Sequence, residues 1–71
     1  MRKQHELSDP GSCLNRAQNN EYVFVLRGHD VAAPYVIRAW CQMRIIMGKN
    51  KLEDHQIQEA LAAANIMERE R

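Results

Sequence analysis

Glycine is scarce in this chain. The three glycines, at positions 11, 28 and 48 of 71, lie too far apart to build a glycine-rich phosphate loop. Cysteine is equally sparse: Cys13 and Cys41 show no CxxC spacing, which excludes a disulfide framework and leaves two reduced thiols as the expectation. No uninterrupted apolar run exceeds five residues, so no membrane-spanning helix is expected. The opening MRKQHELSDP has no apolar h-region, so a secretory leader is not expected and a soluble, cytoplasmic protein is. Catalytic patterns are also missing. No carboxylates pair at catalytic spacing outside the acidic last helix, and no histidine stands near Cys13 in sequence to serve as the base a nucleophile needs. His55 and Glu59 sit one helical turn apart, but two ligands are too few for a metal, and His5, His29 and the cysteines lack zinc spacing. The expectation is a protein with no enzyme activity, no cofactor and no metal.

What remains is ordinary globular composition: 45% hydrophobic and 27% charged, with four methionines and only 6% aromatics, which suits an adaptable helical core. A domain this small buries only about 60% of the surface its unfolded chain exposes. Without disulfides or a metal, self-association is the remaining route to stability, so a homo-oligomer is expected. The net charge of +1 conceals a division. Residues 1–21 balance; residues 22–52 carry Arg27, Arg38, Arg44, Lys49 and Lys51 against Asp30 alone; residues 53–71 carry five acidic side chains against Arg69 and Arg71. A basic helix lying beside an acidic one explains this, and so does a positive surface facing an anionic ligand.

The pattern predicts a mainly α fold in one domain over 9–71, preceded by a flexible arm at 1–8 that has no usable periodicity. Asp9 and Pro10 predict the start of a short helix ending near Gln18, with Gly11 and Ser12 weakening it. An extended, β-like apolar segment comes next at about 22–27, rich in β-branched and aromatic residues and apolar on both faces. Such a segment cannot satisfy its own backbone groups, so it is expected to pair with a copy in another subunit or with the arm, or else to lie over the two later helices. An antiparallel helical hairpin completes the chain, at about 31–47 and 51–69. Asp30 is its expected N-cap, Pro34 falls in the first turn, and Gly48 stops the first helix. Val36, Ala39, Trp40, Met43 and Met47 form the expected buried face of that helix. In the last helix, Asn50 and Glu53 read as a capping box, and Ile57, Ala60, Leu61, Ala64 and Met67 as the buried stripe.

The group Arg27-Gly28-His29-Asp30 is the best candidate for recognition. It places an arginine fork and an imidazole beside a helix N-terminus, whose free N–H groups favour anions. Arg38 lies two turns along and could face the same space, with Tyr22, Tyr35 or Trp40 as stacking surfaces. The competing reading is that Arg27 pairs with Asp30 or with the acidic last helix. A ribbon-helix-helix DNA binder is a weaker third reading, because 22–26 offers no polar side chains for a groove and the pI of about 7.8 is low for that role.

Cys13-Leu14-Asn15-Arg16-Ala17 and then Glu21, Val23-Phe24-Val25-Leu26-Arg27, Asp30, Ala33-Pro34, Arg38 and Trp40 resemble a signature of small, uncharacterised phage and prophage proteins. That signature runs CL-x-[KR]-A, E-P-[VI]-F-V-L-R-A-x-D, A-P-x-x-V-R-x-W, and covers about half of this chain. Tyr22, Gly28 and Ile37 depart from it, standing where that group has proline, alanine and valine. The resemblance implies a phage context and carries no activity with it. In that context two functions fit the residues: sequestration of an anionic, nucleotide-like signal by Arg27, His29 and Arg38 with an aromatic, as an anti-defence device, or inhibition of a host protein by contact.

Overall fold

The computed structural model describes residues 1–70; Arg71, counted above with the acidic last third, lies outside them. The described chain is mainly helical. Four helices occur in the order α1 (Lys3–Ser8), α2 (Cys13–Arg16), α3 (Ala33–Ile46) and α4 (His55–Arg69). No strand occurs among the described residues, and 21–27 have no regular secondary structure. Among the described residues no helix is long and apolar enough to cross a membrane.

α3 and α4 pack together and hold the core. Cys41, Ile57 and Ala60 form its buried cluster, with Ile37, Ile45 and Leu61 partly buried against it. Ile57 and Pro34 are the largest side chains fully withdrawn from solvent. On α4 the buried residues Ile57, Ala60 and Ala64, flanked by half-buried Leu61 and Met67, are the stripe expected from the sequence. Ala60 and Ala64 keep side-chain bulk low on this face of α4.

α3 does not present the expected face. Val36, Ala39, Trp40, Met43 and Met47 are exposed, and the seam is built instead from Ile37, Cys41 and Ile45. Polar anchors in the middle and in the last turn of α3 hold this rotation. Arg38 donates to Glu68 and, at 2.8 Å, to Asn65 of α4. Arg44 Nε donates to Asn50 Oδ1 at 2.7 Å, and Asn50 Nδ2 passes the connection to Asp54 Oδ2 at 3.0 Å. Turning α3 to bury Trp40 would break both anchors.

The helix ends correct three further expectations. Asp30 is not the N-cap of α3: its Oδ1 accepts from the Ala32 N–H at 2.9 Å and organises a turn that delivers the chain to Ala33. Asn50 and Glu53 do not form a capping box. α4 starts at His55, and Asp54 uses its carboxylate on the Lys51 N–H, at 2.9 Å, and on Asn50. α2 starts at Cys13 rather than Pro10. Its N-cap is Ser12, whose Oγ accepts from the Asn15 N–H at 3.2 Å. Gly48 does stop α3. At φ 74° it supplies the left-handed step of a Schellman motif, with the Lys49 N–H on the Arg44 carbonyl and the Gly48 N–H on the Ile45 carbonyl, both at 3.0 Å.

Within residues 1–8, expected to be a flexible arm, Lys3–Ser8 form α1. Ser12 and Asn15 hold it by reaching back to its C-terminal carbonyls. Ser12 Oγ donates to the Glu6 carbonyl at 2.6 Å, and Asn15 Nδ2 donates to the Glu6 and Asp9 carbonyls, each at 2.8 Å. α1 and α2 thus form a small polar-laced pair, and Arg2 ties it to the end of α4 through two parallel bonds to Glu70, at 3.0 and 2.7 Å.

Ile57→Ala should cost about 2–5 kcal/mol in urea unfolding followed by circular dichroism, because it empties the centre of the seam. A loss below about 1 kcal/mol, less than a buried isoleucine normally contributes, would mean that the seam is not the core.

Candidate functional site

Between the α1–α2 pair and α4 lies an open groove of about 890 Å³. Its floor is the outer side of α4, where Ala62, Ala63, Ile66 and Met67 face it; Leu7, Leu14 and Ala17 form the opposite wall. Val23 to Leu26 run along its edge. The lining is mostly apolar, and the rim carries both signs: Arg2, Lys3 and Arg27 alternate with Glu6, Glu21, Glu59 and Glu70.

The sequence-nominated residues divide into two sets. Arg27 and His29 both line this groove, and the chain between them lies against α4, since a Cβ at Gly28 would stand 3.5 Å from Met67 Cγ. Arg38, Tyr35 and Trp40 belong to α3 and do not line the groove. The Arg38 guanidinium is engaged by Glu68 and Asn65 and lies 5.9 Å from the Tyr35 ring centroid. Trp40 lies under Arg44, whose Cζ is 5.7 Å from its ring. Tyr22 is fully exposed beside the groove edge. Thus Arg27 and Arg38, for which the sequence allows one shared space, point to different neighbours. The one acidic partner of Arg38, Glu68, comes from the last helix, as the charge division allows.

Electrostatic tuning is concentrated at the latch between the chain ends. Hydrogen bonds from Arg2 hold the Glu70 carboxyl below its ordinary value, helped by the charges of Arg2, His29 and Arg69. Asp54 is likewise lowered, first by the Lys51 N–H and then by Asn50. Burial pushes the Cys41 thiol up, which suits a packing residue rather than a nucleophile. Cys13 is exposed at the groove wall. Among the described residues no cluster of three or more His, Cys, Asp or Glu side chains could hold a metal ion.

The groove itself escapes a reading of the sequence, because its walls come from segments far apart in the chain. The alternation of Leu7, Leu14 and Ala17 with polar residues is the one available signal. Compared with known proteins, the chain matches no family model, no curated protein and no solved structure.

Two outcomes check this geometry. Glu70 and Asp54 have lowered folded values, so the stability they contribute is present above the ordinary carboxylate range and is lost as pH falls through the lowered values. In a carboxylate NMR titration, Arg2→Ala should return Glu70 toward its ordinary value; an unchanged titration would show that the latch does not form. Arg38→Ala should lower stability by ~1 kcal/mol, the scale of a half-exposed ion pair, and should leave any ligand affinity of the groove unchanged.

Proposed function

We propose that this chain is a non-enzymatic binding protein that docks a protein partner through the apolar groove and the extended segment 22–26 beside it, and that it acts in the cytoplasm as an oligomer. The scaffold in this reading is a helical hairpin with α3 and α4 antiparallel. Arg38 near the start of α3 meets Asn65 and Glu68 late in α4, while Cys41 packs on Ile57 and Ala60 nearer its beginning, which supports that arrangement. The observation that carries the reading is the exposure of Val23, Phe24 and Val25, with Phe24 at 86%, on the edge of a groove already lined by apolar side chains. A contiguous apolar surface of this kind on a small chain marks an interaction site. The mixed charges of the rim favour a partner that brings an apolar or amphipathic segment rather than a strongly charged one. A phage accessory protein that blocks a host protein by contact fits this description.

A second reading, sequestration of an anionic nucleotide-like molecule, draws on one observation: Arg27 and His29 both line the groove. Against it, the Arg38 fork is occupied by α4, and Glu6, Glu21, Glu59 and Glu70 line the same groove as Arg27 and His29.

Calorimetry against a panel of cyclic and ADP-ribose-type nucleotides should give no binding tighter than roughly 10 µM, a weak limit on the affinity scale. Tighter binding that Arg27→Ala abolishes would establish the second reading in place of the first. In host lysate, the wild-type chain should capture one protein at one-to-one stoichiometry, and Phe24→Asp should lose it while keeping its helical circular dichroism. Capture indifferent to Phe24→Asp would remove segment 22–26 from the binding surface.

A further inference from the structure

Among the described residues, no backbone N–H or carbonyl of Tyr22, Val23, Phe24, Val25 or Leu26 makes a hydrogen bond. These residues have no regular secondary structure, and all but half-buried Leu26 are exposed. Chain in this state is a template for strand addition, because its backbone groups are open to a strand from outside. The charges that bracket it identify that strand. Glu21 and Arg27 stand three residues before and three residues after Phe24. Both are exposed, and the Arg27 guanidinium has no hydrogen bond or ion pair among the described residues.

An antiparallel second copy centred on Phe24 sets Glu21 opposite Arg27 at each end of the pairing, so opposite charges meet twice. Tyr22 then lies opposite Leu26, Val23 opposite Val25, and Phe24 opposite Phe24, which keeps apolar side chains against apolar ones. Moving the axis to Val23 sets Glu21 opposite Val25, and moving it to Val25 sets Arg27 opposite Val23. Parallel pairing in register sets like charge on like charge at both ends. An apolar strand bracketed by two charges of one sign, or by a single charge, would not fit itself in this way.

The backbone agrees with this register. In a strand, the N–H and carbonyl of one residue point to one edge and those of the next residue to the other. The Glu21 N–H already donates to the Gln18 carbonyl, and the Arg27 carbonyl accepts from the Asp30 N–H, both at 3.0 Å. The edge of odd-numbered residues is thus committed at both ends, while Tyr22, Phe24 and Leu26 offer every N–H and carbonyl. Pairing through these three makes Phe24 a hydrogen-bonded pair with its copy. Glu21 and Arg27 then form non-hydrogen-bonded pairs, the type in which side chains approach more closely.

We infer that residues 21–27 of two copies pair antiparallel about a two-fold axis at Phe24, closed at both ends by Glu21 and Arg27. The inference rests on the oligomer reading above and names its interface. Pairing engages the backbone of the segment, whereas docking of another protein engages its side chains and the groove.

Light scattering and amide hydrogen exchange by NMR on the purified full chain test it. The mass should rise from 8.3 kDa toward twice that value between about 10 µM and about 1 mM, the weak range that a two-stranded ribbon supports. In the dimer, the Tyr22, Phe24 and Leu26 amides should exchange more slowly than those of Val23 and Val25. Arg27→Glu should stay monomeric across that range with helical circular dichroism intact, and so should Glu21→Arg. The two substitutions combined restore opposite charges at both ends and should restore the dimer. If a single reversal loses helicity, Arg27→Gln and Glu21→Gln decide in its place, each weakening the dimer. A wild type still monomeric at about 1 mM would overturn the inference and the oligomer reading with it. A dimer indifferent to these substitutions, a double reversal that stays monomeric, or protection of Val23 and Val25 instead, would overturn the strand seam and leave the oligomer standing. Capture of a host protein is read separately, so its loss bears on the docking reading alone.

Discussion

The contact between Ile57 and Cys41 is the constraint on which the rest of the molecule depends. Ile57 has no solvent exposure, and around it the core is made of Cys41, alanines and half-buried aliphatics. A fully buried isoleucine contributes about 1.5–3 kcal/mol, whereas ordering each residue's backbone costs about 1–2 kcal/mol. So thin a core leaves little margin for a single chain. The surface shows the counterpart: Tyr22, Phe24, Val25, Trp40, Met43 and Ile46 all face solvent. Apolar surface left out of the seam is available for association.

This constraint also explains which helix faces the sequence can disclose. α4 has one apolar stripe long enough for periodicity to identify, the one built on Ile57, Ala60, Leu61 and Ala64, while the shorter set Ala62, Ala63 and Ile66 faces the groove. α3 has two. Ile37–Cys41–Ile45 and Val36–Trp40–Met43–Met47 lie side by side, and hydrophobic periodicity alone cannot choose between them. The choice is made by polar groups: Arg38 must reach Asn65 and Glu68, while Arg44 must reach Asn50. The division of charge between the middle and last thirds of the sequence holds that information, but only as a total. It does not identify the arginine that faces the acidic helix.

The helix boundaries are less legible for a related reason. Asp30 and Asp9 are residue types that cap helices, and each instead organises a turn, because a short polar side chain bonds equally well to turn and helix N–H groups. Local sequence cannot tell the two uses apart; the neighbours that each side chain meets in space do. α1 is hidden for a stronger reason. It has no buried residue, and it is held by Ser12 and Asn15 from beyond a turn and by Glu70 from the other end of the chain. The groove is a direct result of that arrangement. A helix pair tied down by polar bonds and one exposed latch leaves the apolar side of α4 uncovered beneath it.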